Sequence, residues 1–169
     1  PAIVTRGYGR RCTSDGVVVV SDGHAVLAPT RESGDEPQML ARALPGVAVV
    51  VSSNRYLAGR LAERTFGCTV HLLDDGFQHV QLARDVDLLV MSADDITERL
   101  LPWGRLRESL ETASVADAVL VSDRPDVATS VGERLGVTPT FHVVPRYESL
   151  RFLGRDVGPL ERGPRVVAV

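Results

Sequence analysis

Lysine is missing from this chain, and all 19 of its basic residues are arginine. A phosphate-cradling loop of the Gly-x-x-x-x-Gly-Lys-Ser/Thr type needs a lysine, so these 169 residues cannot contain one. Cysteine is scarce as well. Cys12 and Cys68 are isolated thiols without metal-ligand spacing and too few for a disulfide framework, so they read as reduced, buried side chains of a cytosolic protein. No apolar run approaches the roughly 20 residues that span a bilayer. The net charge of −3 provides no basic field to recruit nucleic acid. The chain opens at Pro1, without methionine or signal peptide, and runs straight into Ala2-Ile3-Val4, so it reads as an excerpt beginning inside a domain.

What is present suffices for one globular domain or two small lobes: 44% of residues are hydrophobic and 24% charged. Ala2 to Thr5 reads as a buried strand feeding the Gly-rich loop Arg6 to Arg10. Val17 to Val20, the turn Ser21-Asp22-Gly23 and His24 to Leu27 suggest a hairpin. Gly34-Asp35-Glu36-Pro37 opens a helix whose apolar face is expected from Met39, Leu40, Ala43 and Leu44. Val47 to Val51 reads as a buried strand, Asn54 to Phe66 as a helix capped by Asn54, and Thr69 to Leu73 as a further strand. Later expectations are a strand Val86 to Met91, a helix Arg105 to Ala113, a strand Ala118 to Ser122, a helix Val127 to Leu135 and a strand Thr140 to Val144. Arg165 to Val169 reads as one more strand, after an arginine-rich stretch that reads as a solvated linker. Strands alternating with helices imply an α/β fold with a largely parallel sheet covered on both faces. The change from motif-dense to ordinary sequence between Leu89 and Pro102 suggests lobes at 1–92 and 93–169.

Residues 74 to 91 carry the densest chemistry. Asp74 and Asp75 follow an apolar run, and Gly76, Gln78 and His79 come within four positions. At the carboxyl end of a strand in an open α/β sheet, paired acids face the ligand crevice, where a nucleotide enzyme keeps its Mg²⁺-holding aspartate. Asp-Asp-Gly is also an ordinary turn, and both readings stand on the acid pair alone.

The string Leu73-Asp74-Asp75-Gly76-Phe77-Gln78-His79, then Leu82-Ala83-Arg84-Asp85, resembles the signature of the tetraacyldisaccharide 4'-kinases, the lipid A 4'-kinase family of Gram-negative bacteria. Three stretches agree in order: Thr5-Arg6-Gly7-Tyr8-Gly9-Arg10, Gly34-Asp35-Glu36-Pro37 and Leu101-Pro102-Trp103-Gly104-Arg105-Leu106-Arg107-Glu108. Four motifs in family order are far more specific than any one of them. The resemblance covers residues 1 to about 125 well. It implies a P-loop-NTPase-like fold with a second, smaller α/β lobe, and ATP-dependent phosphorylation of the 4'-hydroxyl of an acylated disaccharide 1-phosphate. ATP and Mg²⁺ are the implied cofactors.

By the same resemblance, Asp75 is the main metal carboxylate, with Asp74 beside it and Glu108 as a further metal-holding acid, although Glu108 could equally be a solvated helix residue. Asp35 matches the base or orienter of the sugar hydroxyl, next to Glu36; a helix cap by either acid is the plainer alternative. Arg6 and Tyr8 match the site for the acylated disaccharide, where Arg can grip a phosphate and Tyr can stack on a sugar. Gln78 and His79 join the substrate site by matching alone. His24, His71 and His142 lie on apolar runs and read as core or edge residues.

The family's Gly-Lys phosphate loop would precede residue 1 and its Asp-His-His stretch would follow residue 169, so the chain alone is expected not to turn over. The implied location is the cytoplasmic face of the bacterial inner membrane, with peripheral bilayer contact through segments outside this chain. Two other functions remain at this point. One is a metal-dependent hydrolase using Asp74, Asp75 and His79, and the other is a noncatalytic module that binds a sugar phosphate.

Overall fold

The computed structural model describes residues 1–11, 16–122 and 124–144, together with the backbone of 151–152 and 155–156. Cys12 and the expected strand at Arg165 to Val169 lie outside the described residues. The chain divides into two compact units, Pro1–Asp87 and Leu88–Val169.

In the first unit, strands β1 (Ala2–Thr5), β2 (Val18–Asp22), β3 (Ala48–Val51) and β4 (His71–Leu73) form one sheet in the order β2-β3-β1-β4. β1 runs parallel to both β3 and β4, and only β2 is antiparallel. The two central strands are buried on both faces, which is why they read as unbroken apolar runs rather than alternating ones. Side chains point alternately to the two faces. Ile3, Val49 and Val51 pack with Val20 against Ala41 and Leu40 of helix α2 (Asp35–Ala43), which follows the single-turn helix α1 (Thr30–Ser33). Val4 and Val50 pack on the other face against Ala58 and Leu61 of helix α3 (Arg55–Phe66), and Ala2 and Ala48 against Ala62. Asn54 caps α3 as expected, accepting from the Leu57 N–H at 3.1 Å, and Gly67 closes it in the left-handed conformation.

The second unit holds a parallel sheet of β5 (Leu88–Ser92), β6 (Ala118–Ser122) and β7 (Thr140–Val143), with helix α4 (Ala128–Leu135) packed on β6 and β7. Val119, Val121 and Val131 are its fully buried centre. A short antiparallel pair, β8 (Arg151–Phe152) and β9 (Arg155–Asp156), follows.

Three local expectations change. The apolar face of α2 is turned, so that Pro37, Gln38 and Ala41 are buried while Met39 is 62% exposed. Gln38 can sit inside because its amide donates to the Ala28 carbonyl and to Ser33 Oγ. No helix runs from Arg105. Leu106 is held by backbone bonds to Arg99 and Leu101, and a 3₁₀ turn, Leu110–Val115, starts only at Ser109, whose hydroxyl accepts from the Glu111 N–H. The hairpin after β2 shrinks to one bridge, Ser21 to Val26, because the Asp22 carboxylate takes the His24 and Ala25 N–H groups at 2.8 Å each. His71 and His142 lie on edge strands, as expected, whereas His24 is exposed in the turn.

Candidate functional site

β1, β3 and β4 are parallel neighbours, so their carboxyl ends open side by side: Thr5-Arg6 from β1, Val51-Ser52 from β3 and Leu73-Asp74 from β4. Backbone bonds lock this edge together, from Ser52 N–H to the Thr5 carbonyl at 3.1 Å and from Asp74 N–H to the Val4 carbonyl at 3.0 Å.

Beyond β4, Asp75 stands at φ +49°, a conformation that Asp tolerates better than most residues. Gly76 is required by close approach, because a Cβ there would lie 2.5 Å from Leu73 Cβ. The acid pair therefore does form a tight turn, and the turn sits at a strand's carboxyl end beside β1. Asp75 is exposed and Asp74 half-buried. His79 follows in a turn closed by its N–H to the Gly76 carbonyl at 2.9 Å. Its own carbonyl accepts from Arg84 Nη1 at 2.7 Å, and Arg84 also grips Asp87 with two bonds, 2.6 and 3.1 Å. Residues 76 to 87 are thus clamped by one guanidinium, leaving Gln78 exposed and His79 half-buried.

The Arg6 to Arg11 loop leans on α1 and on the start of α2. Gly7 has positive φ, and a Cβ there would meet the Ser33 carbonyl at 2.8 Å. Arg11 N–H reaches the Arg31 carbonyl at 3.0 Å. Gly34, at φ +93° and ψ 168°, lets the chain turn into α2 directly beneath Tyr8, where a Cβ would be 2.8 Å from the Tyr8 carbonyl. Buried Ser33 steadies this bend through bonds to the Pro29 and Gly34 carbonyls and from Gln38. Asp35 is the first residue of α2 and Gly34 is its N-cap, with no side-chain capping bond. The plainer reading of Asp35 or Glu36 as a cap is therefore overturned. Both acids are exposed beside the loop that presents Tyr8, itself 88% exposed, and Arg6.

The segments that leave this edge carry Arg6 and Tyr8 after β1 and Asp74, Asp75, Gln78 and His79 after β4, and Asp35 and Glu36 open α2 against the Tyr8 loop. Glu108 belongs to the second unit, half-buried just ahead of the Ser109-capped turn.

One residue at this edge escapes sequence reasoning. Arg55, the first residue of α3, is 4% exposed and donates from Nη1 to the Ser52 carbonyl at 2.8 Å. Burial pushes its guanidinium below the ordinary value, as does the nearby Arg6, while Asp75 and Asp74 pull it back up. The signal available in the sequence was a basic residue directly after a helix cap, where the helix dipole disfavours a cation.

A family model described as Tetraacyldisaccharide-1-P 4'-kinase matches residues 1–153. The Tetraacyldisaccharide 4'-kinase of Aquifex aeolicus is 42% identical over 120 residues, covering 71% of this chain and 38% of the relative. That of Chlorobaculum parvum is 45% identical over 134 residues, covering 75% and 36%. A crystal structure of Aquifex aeolicus LpxK in complex with ATP superposes with a TM-score of 0.67 at 42% identity, over 71% of this chain and 38% of that one. The chain thus spans somewhat over a third of the length of these relatives, with the four motif stretches inside the matched region. It belongs to the tetraacyldisaccharide-1-P 4'-kinase family.

Proposed function

We propose that these residues form the metal- and acceptor-facing part of an ATP-dependent kinase that phosphorylates the 4'-hydroxyl of a tetraacyl disaccharide 1-phosphate. The observation that supports this reading is the shared edge of β1, β3 and β4, from which the Arg6–Tyr8 loop and the Asp74–Asp75 turn both extend, with Gly34 at the start of α2 against the Tyr8 carbonyl. Phosphoryl transfer asks a protein mainly to position groups and stabilise charge. Asp35 is assigned the acceptor hydroxyl, as base or orienter. Arg6, Tyr8, Glu36, Gln78 and His79 are assigned the head group of the lipid, and Asp75 and Asp74 the metal.

The donor set at the turn is two carboxylates, hard oxygen ligands that suit Mg²⁺, an ion usually held by one or two carboxylates with substrate phosphates and water. When bound, Mg²⁺ supplies neutralisation of the phosphate charge. The hydrolase alternative calls for three or more protein ligands in one place, and among the described residues no such group of His, Cys, Asp or Glu is found. The lipid acceptor puts the enzyme at the cytoplasmic face of the bacterial inner membrane. Peripheral bilayer contact is assigned to the protein on the same ground; among the described residues no helix is long and apolar enough to cross a membrane.

The test is transfer of the ATP γ-phosphate to tetraacyldisaccharide 1-phosphate by the full-length protein. Asp35→Asn is expected to lower kcat by about 10²- to 10³-fold while leaving KM for ATP within about threefold, as for loss of a general base. Unchanged kcat in Asp35→Asn would remove the assigned role, and absence of transfer by the parent protein would remove the function.

A further inference from the structure

A cation in the first turn of a helix opposes the helix dipole, whose N-terminus is its positive end. Arg55 stands there on α3, and no acid in that turn offsets it. The residue is also almost wholly buried, and a guanidinium does not shed its proton inside a protein. Nη1 is satisfied by the Ser52 carbonyl at 2.8 Å, while Nε is buried without a hydrogen-bond partner among the described residues. Arg6 adds like-charge repulsion, and the charges that favour Arg55 come from Asp75 and then Asp74. Helix, burial and a neighbouring arginine all disfavour a positive charge at this point. Ser52, whose carbonyl Arg55 grips, bonds to Thr5 of β1, and Asp74 bonds to Val4 of the same strand, so Arg55 and the acid pair stand at one sheet edge with β1 between them.

We propose that Arg55 is a positioning residue, the permanent, solvent-shielded counter-charge that holds the Asp74–Asp75 pair in place and sets how tightly that pair takes Mg²⁺. The inference rests on the reading of the pair as metal ligands given above. Two adjacent carboxylates repel each other, and a fixed cation keeps them ordered before the metal arrives. The same cation opposes the arrival of a second one. Removing its charge should therefore tighten metal binding and slow turnover together. Loss of a merely structural arginine would lower the amount of active protein without tightening the metal.

The experiment measures initial rates of the full-length protein against free Mg²⁺ at saturating ATP, and Mn²⁺ binding without nucleotide by electron paramagnetic resonance. Arg55→Gln keeps an N–H donor for the Ser52 carbonyl and removes the charge, whereas Arg55→Lys keeps the charge. In Arg55→Gln the Mg²⁺ half-saturation and the Mn²⁺ Kd are expected to fall about tenfold, as is kcat, as expected for removing one nearby unit charge. In Arg55→Lys the half-saturation is expected to stay within about threefold of the parent, because the charge is retained. An unchanged or weakened metal affinity in Arg55→Gln overturns the proposal. If thermal melts show that Arg55→Gln does not fold, Arg55→Lys decides alone: a half-saturation within about threefold supports the proposal and a change beyond about tenfold overturns it. Asp75→Asn in the same assays separates the two readings. If it leaves Mg²⁺ and Mn²⁺ binding untouched, the metal reading itself has failed. If it weakens both while Arg55→Gln tightens neither, only the Arg55 inference fails.

Discussion

Gly34→Ala probes the bend that sets the start of α2 against the Tyr8 loop. Gly34 sits at φ +93° and ψ 168°, a region open essentially to glycine, and holding alanine there costs about 1–3 kcal/mol. The added methyl would also lie 2.8 Å from the Tyr8 carbonyl. Ordinary C···O contacts begin at about 3.3 Å, so one of the two segments must retreat by about 0.5 Å. The Tyr8 side cannot yield freely, because Gly7 is itself wedged against the Ser33 carbonyl and Val51. Strain and crowding together should cost about 2–4 kcal/mol, within the range of measured backbone substitutions. Gly46→Ala is the control: its φ of +88° is similar, but nothing lies within 4 Å of its Cβ, so it should show the conformational cost alone. Urea unfolding of the full-length protein, read as a midpoint shift at constant slope, measures both variants. Asp35 follows Gly34 directly, so the turnover proposed above should fall as well, by about 10²-fold for a displacement approaching 1 Å. Gly46→Ala should keep parental turnover. Equal unfolding midpoints for the two variants, with parental turnover in Gly34→Ala, would refute the close-approach argument.

Two further outcomes follow from the geometry. Arg84→Ala removes four hydrogen bonds at once, two of them to the partly buried carboxylate of Asp87, whose side chain is 19% exposed. A loss of about 2–3 kcal/mol is expected, with faster amide exchange confined to residues 76 to 87; unchanged exchange there would show that the clamp is idle. Asp22 gives a pH signature. Backbone N–H groups of Ala25 and then His24 hold its carboxyl below the ordinary 3.8. A carboxyl whose folded value is depressed contributes stability above its unfolded value and loses it as pH falls through the folded one. The stability gap between the parent and Asp22→Ala should therefore be constant at neutral pH and close below about pH 4, as urea midpoints across pH 2 to 7 would show. A gap that persists at pH 2 would contradict the assignment.

Much of the architecture was written in local pattern. β1 and β3 announce themselves as unbroken apolar runs because both their faces are covered, and Asn54 announces α3 because its side chain replaces a missing backbone acceptor. The acid pair and its glycine were equally visible, since a tight turn after a strand demands those residue types. Where the sequence misled, distant partners had intervened. The exposed Met39 and buried Gln38 reverse the apolar face of α2, because the loop carbonyl of Ala28 offers Gln38 a bond that no periodicity reveals. Leu106 is withheld from a helix by Arg99 and Leu101, through backbone bonds that leave no trace in composition.

Residue order alone therefore determined which charged and hydrogen-bonding groups the chain can present, since charge and hydrogen-bonding capacity belong to the side chains themselves. The parallel register of β1, β3 and β4 decided that Arg6, Ser52 and Asp74 share one edge, although up to 68 positions separate them along the chain. Only the folded structure could turn Arg55 from one of 19 arginines into a buried charge at the sheet edge that carries two aspartates, because burial and placement are properties of packing across the sheet.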